Sequence, residues 1–301
     1  MTHRTAVIGL GAMGGGMARA ALRGGLDVLG LDVDAARAAA FEAEGGLPGG
    51  AAGAGPSLDS VAVVVVNAAQ TEAALFGEGG LAAHLKPGCV IASCATLPPA
   101  EAKRLAAMAA GAGLLWLDAP ISGGAGRAAE GTLSVMAAGS PEAFAAARPL
   151  LDAVSETVFE MGEEIGAGSA MKAVNQLLAG VHIAAAAEAV VFAQKLGIEP
   201  ARTLEVISRC AGASWMFENR VPHIVDADYA PRSAVDIWLK DLGIVTEIAR
   251  SEKTPTPLAA AALHQFIAAS GAGLGREDDA ALAKHYAASA GVTLPGDGAK
   301  K

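Results

Sequence analysis

One lysine stands in an otherwise apolar stretch. From Gly166 to Ala193 the only charged residues are Lys172 and Glu188, and 16 residues of helix turn them to nearly opposite faces. A lysine carried by an apolar helix loses hydration of its charged form and becomes able to exchange a proton near neutral pH. Asn175 follows at i+3, on the same helical face. The spacing equally suits a lysine that snorkels to solvent from a helix start.

A second arrangement could hold a dinucleotide. Gly9-Leu10-Gly11-Ala12-Met13-Gly14 follows the apolar run Thr5-Ala6-Val7-Ile8, where a strand would turn into a helix. Glycine permits the tight turn at the first place, backbone approach to phosphates at the second and helix–strand packing at the third, while the helix N-terminus faces the negative charge. A chain with 38 glycines shows such spacings by chance, so position is what gives the motif meaning. Asp32 closes the next apolar run, 18 residues after Gly14, near the ~20-residue offset of the acid that binds an adenosine ribose. A carboxylate there accepts from both ribose hydroxyls and repels a 2′-phosphate, which favours NAD over NADP. No arginine follows it until Arg37.

Three more groups are candidates. Asp118-Ala119-Pro120-Ile121-Ser122-Gly123-Gly124 ends a strand-like run, and its small residues expose backbone N–H groups and the Ser122 hydroxyl as a cradle for a carboxylate, or form a plain turn. Asn67 and Thr96 follow strand-like runs and should share an edge with the glycine loop, to touch cofactor or to cap the next helices. Lys240-Asp241-Leu242-Gly243 adds positive charge or forms a surface pair.

The elements that must position these residues change character along the chain. Strand-like runs at Thr5–Leu10, Leu26–Asp32, Val61–Asn67, Cys89–Cys94, Leu114–Leu117, Thr132–Ala138 and Thr157–Glu160 alternate with Ala-rich helical ones. Such alternation predicts an α/β fold, a mostly parallel, doubly wound sheet with helices on both faces. After about Gly162 the runs turn helical: Ala167–Leu196, Ala201–Cys210, Leu239–Ser251 and Thr256–Ser270. The expected domains are a dinucleotide-binding Rossmann-type domain over 1–164 and an all-helical domain over 165–301, ending in a mobile tail from Gly291.

Composition narrows the partners. A net charge of −9 disfavours nucleic acid and anionic membrane surfaces, so an anionic substrate needs a locally positive pocket. Cys89, Cys94 and Cys210 are too few for a disulfide framework and read as thiols in a reducing compartment. The six histidines are scattered, which argues against a metal site. Strand-like sequence begins within a few residues of Met1, so no signal peptide is expected and the expected location is cytoplasmic. The uncharged stretch Ala173–Ala187 spans 15 residues, short of the ~20 a membrane span requires.

Taken together, the glycine loop, Asp118–Gly124, Gly168–Asn175 and Lys240–Gly243 resemble, in order and over nearly the whole chain, the β-hydroxyacid dehydrogenase family. That resemblance implies oxidation of a small hydroxyacid, with Lys172 as the acid/base. It implies that Ser122, Gly123 and Gly124 hold the substrate carboxylate and that Asn175 orients substrate. Gly9, Leu10, Gly11, Ala12, Met13, Gly14, Asp32, Asn67, Thr96 and Lys240 would then contact NAD. It also implies association through the helical domain, as a homodimer or homotetramer. Asn67-Ala68-Ala69-Gln70, Ser214–Arg220 and Arg127 are similar to one branch of the family. Arg127 stands where most members carry a small residue, and as an extra hydrogen-bond donor it would suit a polyhydroxylated acid, unless it is a surface residue.

Overall fold

A computed structural model describes residues 2–296. The chain divides into two compact units, with the break between Lys172 and Ala173. In the first unit the order is β1 (Arg4–Ile8), α1 (Ala12–Arg23), β2 (Asp27–Leu31), α2 (Ala35–Ala43), α3 (Ala51–Ala54), β3 (Ser60–Val63), α4 (Ala68–Phe76), β4 (Val90–Ser93), α5 (Pro99–Gly111) and β5 (Leu115–Asp118). These strands form one parallel sheet in the order β2-β1-β3-β4-β5. Strand alternation divides the apolar residues between its faces. Ala6, Ile8, Val61, Ile91 and Trp116 pack under α4 and α5, through Leu75 and Leu105. Val7, Ala62, Ala92 and Leu117 pack under α1, through Met17. Each such large side chain, fully buried, contributes about 1.5–3 kcal/mol.

Three further strands do not extend this sheet as the alternation predicted. β6 (Ile121–Ser122), α6 (Gly124–Glu130), β7 (Leu133–Ala137), α7 (Pro141–Val154) and β8 (Ser155–Glu160) follow, and β6-β7-β8 make a separate sheet. Asp118 and Ala138 bridge in antiparallel sense, and β6 pairs antiparallel with β7. The chain therefore folds straight back after Pro120, without the dozen-residue crossover that parallel addition to β5 requires.

The helix α8 (Ala167–Lys195) runs through the break, and the second unit continues with α9 (Pro200–Ile207), α10 (Trp215–Val225), α11 (Val235–Ser251), α12 (Pro257–Ala269) and α13 (Leu282–Ala290). Ile183, Ala187 and Val190 of α8 join Phe217, Val221, Trp238, Leu242 and Phe266 in one core, where the Trp238 and Phe266 rings stack 5.7 Å apart. With 29 residues, α8 is long and apolar enough to cross a membrane by length and composition, which the 15-residue uncharged stretch had understated. Its buried face belongs instead to this helical core. Leu294 is 3% exposed in the same core, so the expected tail is anchored at least that far; residues 297–301 lie outside the described ones.

Candidate active site

Parallel pairing puts the carboxyl ends of all five strands of the larger sheet on one edge, and the strand order reverses between β1 and β3, where open α/β sheets bind ligands. The glycine loop lies there. Gly9 has φ +91°, and a Cβ on it would stand 2.5 Å from the Val64 carbonyl oxygen. A Cβ on Gly14 would stand 1.8 Å from the Gly9 carbonyl oxygen, so α1 can close on β1 only with glycine at that position. Gly11 is open: the nearest atom to a Cβ there is Arg37 Nη1, 4.0 Å away. Gly11 also begins α1 with neither a side-chain cap nor an acidic residue in the first turn, leaving the N–H groups of Ala12, Met13 and Gly14 uncapped by side chains. Two tight glycines and one clear one at an uncapped helix start are what a pyrophosphate requires.

Asp32 follows β2 on the same edge. Its Oδ2 accepts from the Leu10 N–H at 2.6 Å and its Oδ1 from the Asp34 N–H at 2.8 Å, so Leu10 gives its N–H to the acid while its side chain is buried. Arg37 Nη1 lies 3.8 Å from Asp32 Oδ2, and Arg37 Nε lies 3.5 Å from Asp34. Asn67 takes up the capping alternative, its Oδ1 accepting the Gln70 N–H at 2.9 Å while Gln70 Oε1 accepts the Val66 N–H. Thr96 lies half-buried three residues past β4, and the N-cap position of α5 is taken by Pro98.

Ser122 stands on β6 opposite Ser134, and Gly123 and Gly124 take φ +137° and +74° in starting α6. Arg127, one turn later, is ion-paired to Glu156 of β8, so its donors are turned to a neighbouring strand, the surface alternative weighed from sequence. Asp118, one residue of the predicted loop for which sequence suggested no role, is 1% exposed. Its Oδ2 accepts the N–H groups of Gly166 (3.0 Å) and Ser169 (2.9 Å), and its Oδ1 accepts the Ser169 hydroxyl (2.6 Å). Lys172, one turn beyond Ser169 on α8, is 7% exposed.

In the second unit, Asn175 Nδ2 donates to Gln176 Oε1 at 2.8 Å, and Gln176 Nε2 donates to Asp241. Asp241 Oδ1 lies 2.8 Å from Lys240 Nζ. Asn175 and Lys240 are thus joined through two buried intermediaries: Gln176, for which sequence suggested no role, and Asp241, which pairs with Lys240 as one sequence alternative had it but is buried and not at the surface.

Residues 4–162 match the family described as the NAD binding domain of 6-phosphogluconate dehydrogenase, and residues 166–286 the one described as NAD-binding of NADP-dependent 3-hydroxyisobutyrate dehydrogenase. The L-threonate dehydrogenase of Cupriavidus necator is 49% identical, over 98% of this chain and 99% of its own. The chain belongs to the β-hydroxyacid dehydrogenase family. The L-threonate dehydrogenase of Escherichia coli K12 is 47% identical over 96% of both chains. A crystal structure of 3-hydroxyisobutyrate dehydrogenase from Salmonella typhimurium superposes with a TM-score of 0.90 at 46% identity, over 94% of this chain and 99% of that one. The fold and the glycine loop are accordingly those of a dehydrogenase that uses a nicotinamide dinucleotide.

Two other polar clusters in this β-hydroxyacid dehydrogenase are structural. His3 Nε2 lies 2.9 Å from Ser60 Oγ and His3 Nδ1 3.9 Å from Asp59, a hydrolase-like series, but Ser60 is fully buried and its hydroxyl donates to Thr5. The segment Ser214–Arg220 supplies a helix cap, Ser214 Oγ accepting the Phe217 N–H, and a buried guanidinium, Arg220, paired with Asp279. Among the described residues no group of three His, Cys, Asp or Glu side chains is placed to hold a metal.

Proposed function

We propose that this dehydrogenase oxidises a four-carbon sugar acid, L-threonate, to 2-oxo-tetronate with NAD. The observation that carries the reading is Lys172, a lysine 7% exposed, held one helical turn beyond a serine clamped to the substrate loop. The names and extent of the relatives just described support the choice of acid. In this reading Lys172 Nζ, neutral in the productive complex, takes the proton of the substrate hydroxyl. Ser122 Oγ and the backbone of Gly123 and Gly124 fix the substrate carboxylate, and Asn175 orients the hydroxyl-bearing carbon from the same face of α8 as Lys172. The glycine loop and Asp32 hold the dinucleotide, with Asn67, Thr96 and Lys240 beside it; bound there, the nicotinamide supplies the hydride acceptor.

Asp32 supports NAD because a carboxylate at the end of β2, beside the glycine loop, would repel a 2′-phosphate. Arg37, beside Asp32, is a feature that favours NADP, yet its guanidinium already faces both Asp32 and Asp34. The direct test follows absorbance of the reduced cofactor with a panel of four-carbon aldonates and 3-hydroxyisobutyrate, in NAD and NADP side by side. The highest kcat/KM is expected for L-threonate with NAD. A higher value for 3-hydroxyisobutyrate would replace the substrate, and one for NADP would remove the role given to Asp32.

The proposed oligomer rests on one stripe. Val174 (54%), Leu178 (50%) and Phe192 (65%) are exposed along one side of α8, and Leu196 (62%) just past its end, a run of large apolar side chains that a second copy would cover. Sedimentation equilibrium is expected to show a dimer or tetramer, and Leu178→Asp to dissociate it; a monomeric parent at micromolar concentration would end the proposal. A cytoplasmic location fits the free thiols Cys89, Cys94 and Cys210.

A further inference from the structure

We infer that Asp118 is the positioning residue that sets Lys172 against the Ser122–Gly124 cradle. Its backbone and its side chain belong to two different attachments. Through the backbone, the Asp118 N–H donates to the Ala138 carbonyl and the Ala138 N–H donates back, both at 2.9 Å, which fixes the end of β5 to the second sheet. Four residues on, Ser122 pairs with Ser134 of β7, so the loop that bears the cradle is held at one end by β7 and at the other by Ala138, the residue just after it. Through the side chain, Asp118 takes three donors from Gly166 and Ser169 at the start of α8.

The helix start is seated hard against the same surface. A Cβ on Gly168 would stand 2.4 Å from the Met136 carbonyl oxygen and 2.6 Å from that of Asp118, so α8 cannot approach β5 and β7 this closely with any larger residue there. From Ser169 to Lys172 is a rise of about 4.5 Å on one face. One buried carboxylate therefore fixes the loop and the lysine relative to each other, although neither touches the other through it. Burial pushes the Asp118 carboxyl upward, and the donors from Ser169, Gly166 and Gly168 pull it back. A carboxylate facing a helix N-terminus with three donors is thus built to stay in place. Its position is not explained by binding of either ligand, since no atom of the side chain is left open to solvent beyond the 1% recorded for the residue.

The inference rests on the proposed role of Lys172, and the test separates the two. Asp118→Asn, Asp118→Ala, Ser169→Ala and Lys172→Ala would be compared for kcat and KM with L-threonate and NAD. Rates would be expressed per NADH-binding site, counted by titration of NADH fluorescence, so that loss of folded protein does not read as loss of rate. Asp118→Ala should lower kcat on the order of 10²-fold, as a displacement near 1 Å does, with the NADH dissociation constant unchanged. Asp118→Asn should keep most of the rate, since its carbonyl can accept both backbone N–H groups and its amide can donate to the Ser169 hydroxyl. Ser169→Ala, which leaves those two backbone bonds, should fall between them and serves if Asp118→Ala does not fold. A purely structural role predicts lost sites with normal kcat per site. Normal kcat per site in Asp118→Ala or, failing that variant, in Ser169→Ala, beside an inactive Lys172→Ala enzyme, overturns this inference alone. A parental rate in Lys172→Ala overturns the functional reading and the inference with it.

Discussion

Lys172→Ala is expected to lose ~10²–10⁴-fold in kcat, the usual worth of a positioned proton transfer, while binding NADH as tightly as the parent. The tight glycines of the loop, Gly9 and Gly14, pack against each other and against Val64 and Val65 just past β3, and none of those contacts involves α8. An interaction made only in the transition state lowers kcat and kcat/KM together, so KM for L-threonate should move little. Lys172→Arg should not restore the rate, because a guanidinium stays protonated and cannot accept the hydroxyl proton. A primary amine added to the Lys172→Ala enzyme should restore part of it. Should Lys172→Arg instead turn over normally, the residue would be supplying charge to hold the substrate rather than taking its proton. Stopped-flow absorbance with saturating NAD and threonate distinguishes these outcomes in one set of variants.

Much of the geometry of the candidate site was legible because it depends on residue type at fixed spacing. Glycine is required at positions 9 and 14 by contacts of 2.5 and 1.8 Å, so the motif reported its own geometry. The apolar run Val61–Val66 overran β3 for a related reason. Val64 and Val65 lie past the strand end and form the floor against which Gly9 and Gly14 pack, a use of apolar residues that periodicity reads as more strand. Lys172 was conspicuous as a lone charge, whereas Asp118, Gln176 and Asp241 were not, because a buried polar residue is visible only through its partner. Asp118 and Ser169 are 51 positions apart and Gln176 and Asp241 are 65. No local pattern links such pairs, although Asp118 at a strand end and Ser169 near a helix start were each a weak sign of capping. The second sheet was hidden likewise: Leu133–Ala137 reads as strand, but which neighbour it pairs with depends on the turn after Pro120. α10 escaped because Pro222 interrupts an apolar spacing that Phe217, Val221 and Ile224 otherwise keep.

Arg220→Met is expected to destabilise the second unit by about 3–5 kcal/mol near neutral pH, the cost of leaving a buried charge without its partner. Asp279 is fully buried, with Arg220 donating to both of its carboxylate oxygens and Trp238 Nε1 donating to Oδ2 at 2.8 Å. Burial already raises the Asp279 carboxyl above its ordinary value near 3.8, with Arg220 and Trp238 opposing the rise. Deleting the guanidinium removes the larger part of that opposition, so the folded-state value climbs further. A folded carboxyl that binds its proton more tightly than the unfolded one loses stability as pH rises through its folded value and regains it as pH falls. The Arg220→Met penalty should therefore shrink on acidification towards 3.8, the reverse of what a lost packing contact would do. Replacing Asp279 as well, by Leu, should return most of the stability at neutral pH, because the unpaired charge and not the missing bond carries the cost. Urea denaturation followed by tryptophan emission reads this unit through Trp238, which bonds to Asp279 and stacks on Phe266. If the single and double variants unfold at the same urea concentration at pH 7, the penalty comes from the emptied volume beside α10, and the charge argument for this network fails.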